Sequence, residues 1–307
     1  MKKIILVALM GIAGWGCLSE NRATTAEQSG DTTAVVTAED CLSGVTYTVQ
    51  DSIMVCRVLA EAKKAQIPTE QLTLFFARKF LGVPYVAHTL EVNDEEQLVV
   101  NTRQLDCTTL VETVVALTLC AKEGKCSFTD YADKVRTLRY RGGQLDGYTS
   151  RLHYFSDWIM DNEQLGLVQE ISMPDPPFSA VQKLSVNYMS RHPQAYKALK
   201  AHPEWVSTIS QQEQALTGRT CPYIPKSRMQ NNDVMRRAVH DGDILALTTT
   251  MAGLEISHLG FAVWREDGLH LLNASMIYKK VVEDDQLLRD YLQKRKSATG
   301  VRVIQVK

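Results

Sequence analysis

The sequence predicts an α+β fold, with helices first and antiparallel strands later. Three observations carry that expectation. Apolar residues recur at helical spacing in three segments between residues 52 and 121. From residue 241 onward the period changes to short apolar runs of strand length. Two of those runs, 256–264 and 269–274, flank Arg265-Glu266-Asp267-Gly268, and Asp-Gly is a strong hairpin signal.

The 307 residues, 45% hydrophobic and 22% charged, suit one large domain or two ordinary ones. The net charge of -1 gives no electrostatic footprint for nucleic acid. There is no phosphate-loop motif and no G-x-G-x-x-G after a strand. The seven His and seven Cys show no zinc-ligand spacing, so neither a metal nor another cofactor is expected.

The chain opens on Lys2-Lys3 and an apolar run from Ile4 to Ala13, too short to span a bilayer at ~20 residues. Gly14-Trp15-Gly16-Cys17 follows. Residues 1–17 therefore read as an export signal resembling a lipoprotein leader, in which Cys17 is acylated; ordinary secretory cleavage and a retained anchor are the alternatives. Residues 18–38 are polar and aperiodic, a flexible tether. The folded part, 39–307, reads as a single domain. Export implies an oxidising compartment. Cys41 with Cys56 and Cys120 with Cys126 are plausible local bridges, although sequence cannot fix connectivity.

Ser52 to Lys64 is the first helix. Thr69 caps a second from Glu70 to Leu81, stopped by Gly82. Asp106 to Ala121 is a third, with an apolar stripe at Leu110, Val111, Val114, Val115 and Leu117. Residues 150–240 read as a largely helical insertion, with helices at 179–199 and 204–216 and an extended piece at 221–225. Strands follow at 243–247, 256–264 and 269–274, then a helix at 284–294 and a strand at 301–306.

Cys107 falls in the first turn of the third helix, behind Asp106 as natural N-cap. The unpaired amides and dipole there favour thiolate, the nucleophilic form. His258 lies near the start of an apolar strand, and imidazole is the base a Cys nucleophile needs. Gly260 is on the same face, where a helix could approach. Asn273 on the partner strand carries a carbonyl able to orient the imidazole. Register is a difficulty: an Asp267-Gly268 turn places Asn273 opposite Ala262, about 13 Å along the sheet from His258.

Gly82-x-Pro84-Tyr85, Asp106-Cys107-Thr108, Gly242-Asp243-Ile244, His258-Leu259-Gly260 and Asn273-Ala274 occur in the order of the NlpC-type, papain-like cell-wall hydrolases. The match runs closer to their N-acetylmuramoyl-L-alanine amidase-like branch. It rests on 105–112, on 148–162 around Ser150-Arg151-Leu152-His153-Tyr154, on Ile224-Pro225-Lys226 and on 256–260, and covers roughly residues 70–307. The resemblance implies a nucleophile helix packed on an antiparallel sheet. It implies Cys107, His258 and Asn273 as the catalytic set, with Tyr85 beside the nucleophile. Asn273 stands where many members carry His. Arg151, His153, Tyr154, Asp157 and Trp158 are the substrate-side candidates: Arg for a carboxylate, aromatics for a sugar face. Implied partners are peptidoglycan fragments and, through the lipid anchor, a membrane; the location is the periplasm. A D-glutamyl–diamino-acid endopeptidase and a non-catalytic wall-binding lipoprotein are the competing readings.

Overall fold

The computed structural model describes residues 42–172 and 176–307. The leader, Cys17, the tether and Cys41 lie outside them. In chain order the elements are β1 (Val45–Thr46), α1 (Val49–Lys64), α2 (Leu72–Arg78), β2 (Leu98–Val99), α3 (Cys107–Lys122), α4 (Phe128–Arg139) and α5 (Phe155–Gln164). Then come β3 (Val168–Ile171), β4 (Ala180–Lys183), α6 (Tyr188–Arg191), α7 (Lys197–Ala201), α8 (Trp205–Leu216), β5 (Thr220–Pro225) and α9 (Asp233–Ala238). The chain closes with β6 (Ile244–Thr249), β7 (Ile256–Trp264), β8 (Leu269–Ser275), β9 (Lys280–Glu283), α10 (Leu288–Gln293) and β10 (Ala298–Val306).

The main sheet runs β4-β5-β10-β6-β7-β8-β9, with β3 also paired to β10, and all its pairings are antiparallel. Strand alternation sends side chains to two faces. Ala246, Leu259, Phe261, Val263, Leu272 and Ala274 face a core shared with α1 through α5. Leu245, Leu247, Ala262 and Leu271 face a second core under α9 and α10. A third cluster, Tyr154, Leu184, Met189, Leu199, Ile209 and Leu216, lies between α5, α6, α7 and α8. Helices thus cover both faces of an antiparallel sheet.

The 150–240 segment departs from the helical insertion expected. Its strands β3 and β5 pair directly with β10, and β4 extends the sheet. The 179–199 stretch holds β4 and two short helices rather than one long helix. Its apolar residues serve alternate strand positions and a separate cluster, which helical counting cannot distinguish. The second helix is also shorter: Thr69 opens a 3-10 turn, and α2 begins at Leu72. Cys120 and Cys126 are free thiols. Cys120 is buried within α3, whereas Cys126 lies beyond the turn at Gly124, so the expected bridge does not form.

Candidate active site

Asp106 caps α3. Its carboxylate accepts the Thr109 N–H at 2.8 Å, and Thr109 Oγ1 accepts the Asp106 N–H at 2.9 Å. This reciprocal cap fixes the helix start and therefore the position of Cys107, its first residue. The Leu259 N–H and the Thr108 hydroxyl lie near enough to the Cys107 thiol to favour its charged form. The nucleophile helix and the His strand therefore meet at Leu259, one residue past His258.

Burial pushes the Cys107 thiol up to about 12, and the Asp106 carboxylate adds to the push; the Leu259 and Thr108 donors oppose it. Burial therefore opposes the thiolate that the helix start favours.

His258 is aimed by a β-bulge. β6 and β7 pair Leu247 with His258 and then Thr248 with Ile256, leaving Ser257 as the extra residue. The β7–β8 hairpin turns on Glu266-Asp267, because Arg265 and Gly268 exchange both backbone hydrogen bonds, at 2.8 and 3.3 Å. Phe261 then pairs with Leu272. One step further along that register Asn273 falls opposite Gly260, diagonal to His258. Diagonal partners lie about 7–8 Å apart, within reach of longer side chains. His258 Nε2 and Asn273 Oδ1 are 2.9 Å apart.

Gly260 makes no room for α3, contrary to the expectation, since α3 packs on the opposite sheet face. A Cβ there would meet Leu272 O at 2.6 Å and Leu271 Cδ1 at 2.7 Å. The glycine is required by crowding from the neighbouring strand. Burial lowers the His258 pKa, which the Asn273 hydrogen bond partly offsets. The imidazole is thus a neutral base at neutral pH.

Two phenols border the pair. Tyr85 bridges Leu105 in parallel, and its N–H donates to Lys279 O at 2.9 Å. Burial raises its pKa to about 12, with Cys107 and Asp106 contributing, so it remains an O–H donor. Tyr291 of α10 stacks near His258, with ring centroids 6.4 Å apart. Sequence reasoning missed Tyr291, since a Tyr in a short amphipathic helix carries no distinguishing signal.

The substrate-side candidates are differently placed. Arg151 forks onto buried Glu96 at 2.9 and 2.5 Å. His153 Nε2 contacts Tyr148 O at 2.9 Å. Tyr154 O–H donates to Glu213 at 2.7 Å and its oxygen accepts the Met189 N–H at 2.9 Å. Asp157 receives the Arg141 guanidinium at 3.1 and 2.5 Å. Trp158 is buried and stacked on Phe155 at 4.8 Å. His153, Tyr154, Asp157 and Trp158 thus make contacts within the fold, and Arg151 is paired with Glu96.

A family model described as N-acetylmuramoyl-L-alanine amidase-like (AmiA-like) matches residues 75–301. The chain belongs to this family. It is a hydrolase of the amidase type. The structure resembles an N-acetylmuramoyl-L-alanine amidase from Bacteroides uniformis, 41% identical, with TM-score 0.72 over 78% of this chain and 99% of that one. It also resembles a protein from Bacteroides fragilis, provisionally named a xylanase, 42% identical, with TM-score 0.70 over 75% of this chain and 99% of that one. A protein from Legionella pneumophila shares the fold at 21% identity and TM-score 0.62, over 84% of this chain and 94% of that one. No curated protein matches the sequence.

Proposed function

We propose that this amidase hydrolyses the bond between the lactyl group of N-acetylmuramic acid and L-Ala in peptidoglycan fragments, on a papain-like core of the NlpC type. The observation that carries the mechanism is the 2.9 Å His258–Asn273 contact, with Cys107 held one residue away at Leu259. The bond assignment is supported by the name of the Bacteroides uniformis relative.

His258 Nε2–H donates to Asn273 Oδ1, which leaves the Nδ1 lone pair as base. Nδ1 takes the Cys107 proton as sulfur attacks the carbonyl, so no free thiolate need accumulate. The Cys107 N–H and the Tyr85 O–H receive the developing oxyanion. The C–N bond breaks, the proton passes from His258 to the leaving amine, and a thioester remains. His258 then deprotonates water, which attacks the thioester and returns the thiol.

A glycosidase reading would need two facing carboxyl groups. The groups gathered around Cys107 are an imidazole, an amide and phenols, and Asp106 is engaged as the cap. Residues 1–17 as lipoprotein leader, 18–38 as tether and a periplasmic location complete the proposal.

Mass spectrometry of a digested disaccharide-tetrapeptide tests the bond. Intact stem peptide plus free disaccharide supports the amidase. A disaccharide retaining L-Ala-D-Glu establishes the endopeptidase instead, and no turnover by wild type leaves a binding protein.

A further inference from the structure

A cavity of about 270 Å³ opens between the 90–96 loop, residues 148–151 and the helices α7 and α8. One water needs only about 10–15 Å³ by this measure, so the space suits a small organic group. Its lining includes none of Cys107, His258, Asn273 or Tyr85.

The charges inside it do not balance. Arg151 and Glu96 neutralise one another through their fork, and the Glu96 side chain is only 6% exposed. Lys197 and Asp94 pair at the rim with side chains 62% and 99% exposed, where solvent screens them. Glu91 remains. Its side chain is 17% exposed, and its ion pair is a 3.6 Å approach to the already committed Arg151. The lining thus sets three carboxyl side chains, Glu91, Asp94 and Glu96, against two cationic ones, Arg151 and Lys197.

Two further features agree. Tyr148, 3% exposed, lines the cavity, and its hydroxyl has no hydrogen-bond partner. Burial raises its pKa, with Glu91 adding to the rise, so it stays a neutral phenol near that carboxylate. The wall beside it is aromatic: Tyr148 and Trp205 stack at 5.8 Å, and Trp205 and His202 at 4.0 Å. A carboxylate, a phenol oxygen and aromatic rings together suit a cation with several N–H donors.

We propose that this cavity is a binding site for a ligand carrying a primary ammonium on a flexible stem, with Glu91 as counter-ion and Tyr148 as second acceptor. Its lining shares no residue with the Cys107, His258 and Asn273 set.

Isothermal titration of the folded protein with 1,5-diaminopentane, 1,5-pentanediol and N-acetylglucosamine tests it. The diamine should bind at least about tenfold more tightly than the diol, and a Cys107→Ser protein should bind it as wild type does. Glu91→Gln should weaken the diamine about tenfold or more, and Tyr148→Phe, which removes only the unpartnered hydroxyl, by a smaller factor. Equal affinity for diamine and diol, an unchanged Glu91→Gln, or preferential binding of the sugar would each overturn the assignment. If Glu91→Gln fails to fold, the diamine–diol contrast and Tyr148→Phe decide the matter.

Discussion

Residues 105–109 and residues 148–158 look equally loaded with chemistry in the sequence, yet their polar groups are used differently. In the first, Asp106 and Thr109 use their polar atoms on each other and leave Cys107 at a helix start, beneath a strand amide. In the second, Arg151, Tyr154 and Asp157 each meet a partner of matching charge or polarity, and Trp158 lies within the core. Residue type alone does not separate a reactive group from a structural one; what separates them is the bonding capacity left after folding.

The sharpest way to break this contrast is to remove the sulfur. Cys107→Ala should abolish amide hydrolysis while the unfolding midpoint stays near wild type, since a half-buried side chain shrinks only slightly. His258→Ala should lower kcat by about 10²–10⁴-fold, the usual worth of a positioned acid–base. Steady-state kinetics with a defined muropeptide check both, and turnover close to wild type in either protein contradicts the mechanism.

The reverse pattern is expected in the second region. Arg151→Ala removes the counter-ion of Glu96, leaving it the Tyr140 hydroxyl, and should cost about 3–5 kcal/mol of stability. Trp158→Ala should cost about 3–5 kcal/mol through the void it leaves. Denaturant melts measure both. A melt as stable as wild type with a large rise in KM would restore these residues as substrate contacts.

Two pH experiments sharpen the comparison. The folded His153 pKa is pushed down to about 3 by burial and by Arg151, against an ordinary value of 6.5. Below pH 6.5 the unfolded chain binds a proton that the folded chain refuses. Stability should therefore fall as pH drops from 6.5 toward 3, by about 1.4 kcal/mol per unit from this residue, and then level off. His153→Gln should flatten that limb of the stability–pH curve; an unchanged slope refutes the assignment. At the active site, a Cys107 thiol of raised pKa and a His258 of lowered pKa predict slow alkylation of Cys107 by iodoacetamide at pH 7. It also places the acid limb of kcat/KM below pH 6.5. Rapid alkylation at pH 6 would instead reveal a resting thiolate. The smallest catalytic effect should come from Asn273→Ala, which leaves the base present but unoriented, at about 10–100-fold in kcat.

Strong local signals made much of this fold legible. The β7 run from Ile256 to Trp264 and the Asp106 cap were readable because alternation and capping chemistry are properties of adjacent residues. The Asn273 register was not. Moving the turn by one residue moves the pairing by two, and only the Arg265–Gly268 bonds settle which pair closes the hairpin. The bulge at Ser257 has no local signature either, since it arises from mismatch between two strands. Cys107, His258 and Asn273 were nameable by type and order. That Arg151 would be consumed by Glu96, 55 residues away, was not, because ion pairing across such a separation depends on the finished packing.

The position of β10 bears on how the molecule is made. It pairs with β3, β5 and β6, and so joins the strands of the 150–240 segment to the strand beside the one carrying His258. Yet it comprises residues 298–306, which leave the ribosome after every other element described. Until they emerge, β6 presents an open edge and its neighbours lack a seam. Completion of the sheet therefore waits for β10, and a chain truncated before residue 298 should be held open and prone to strand-edge association.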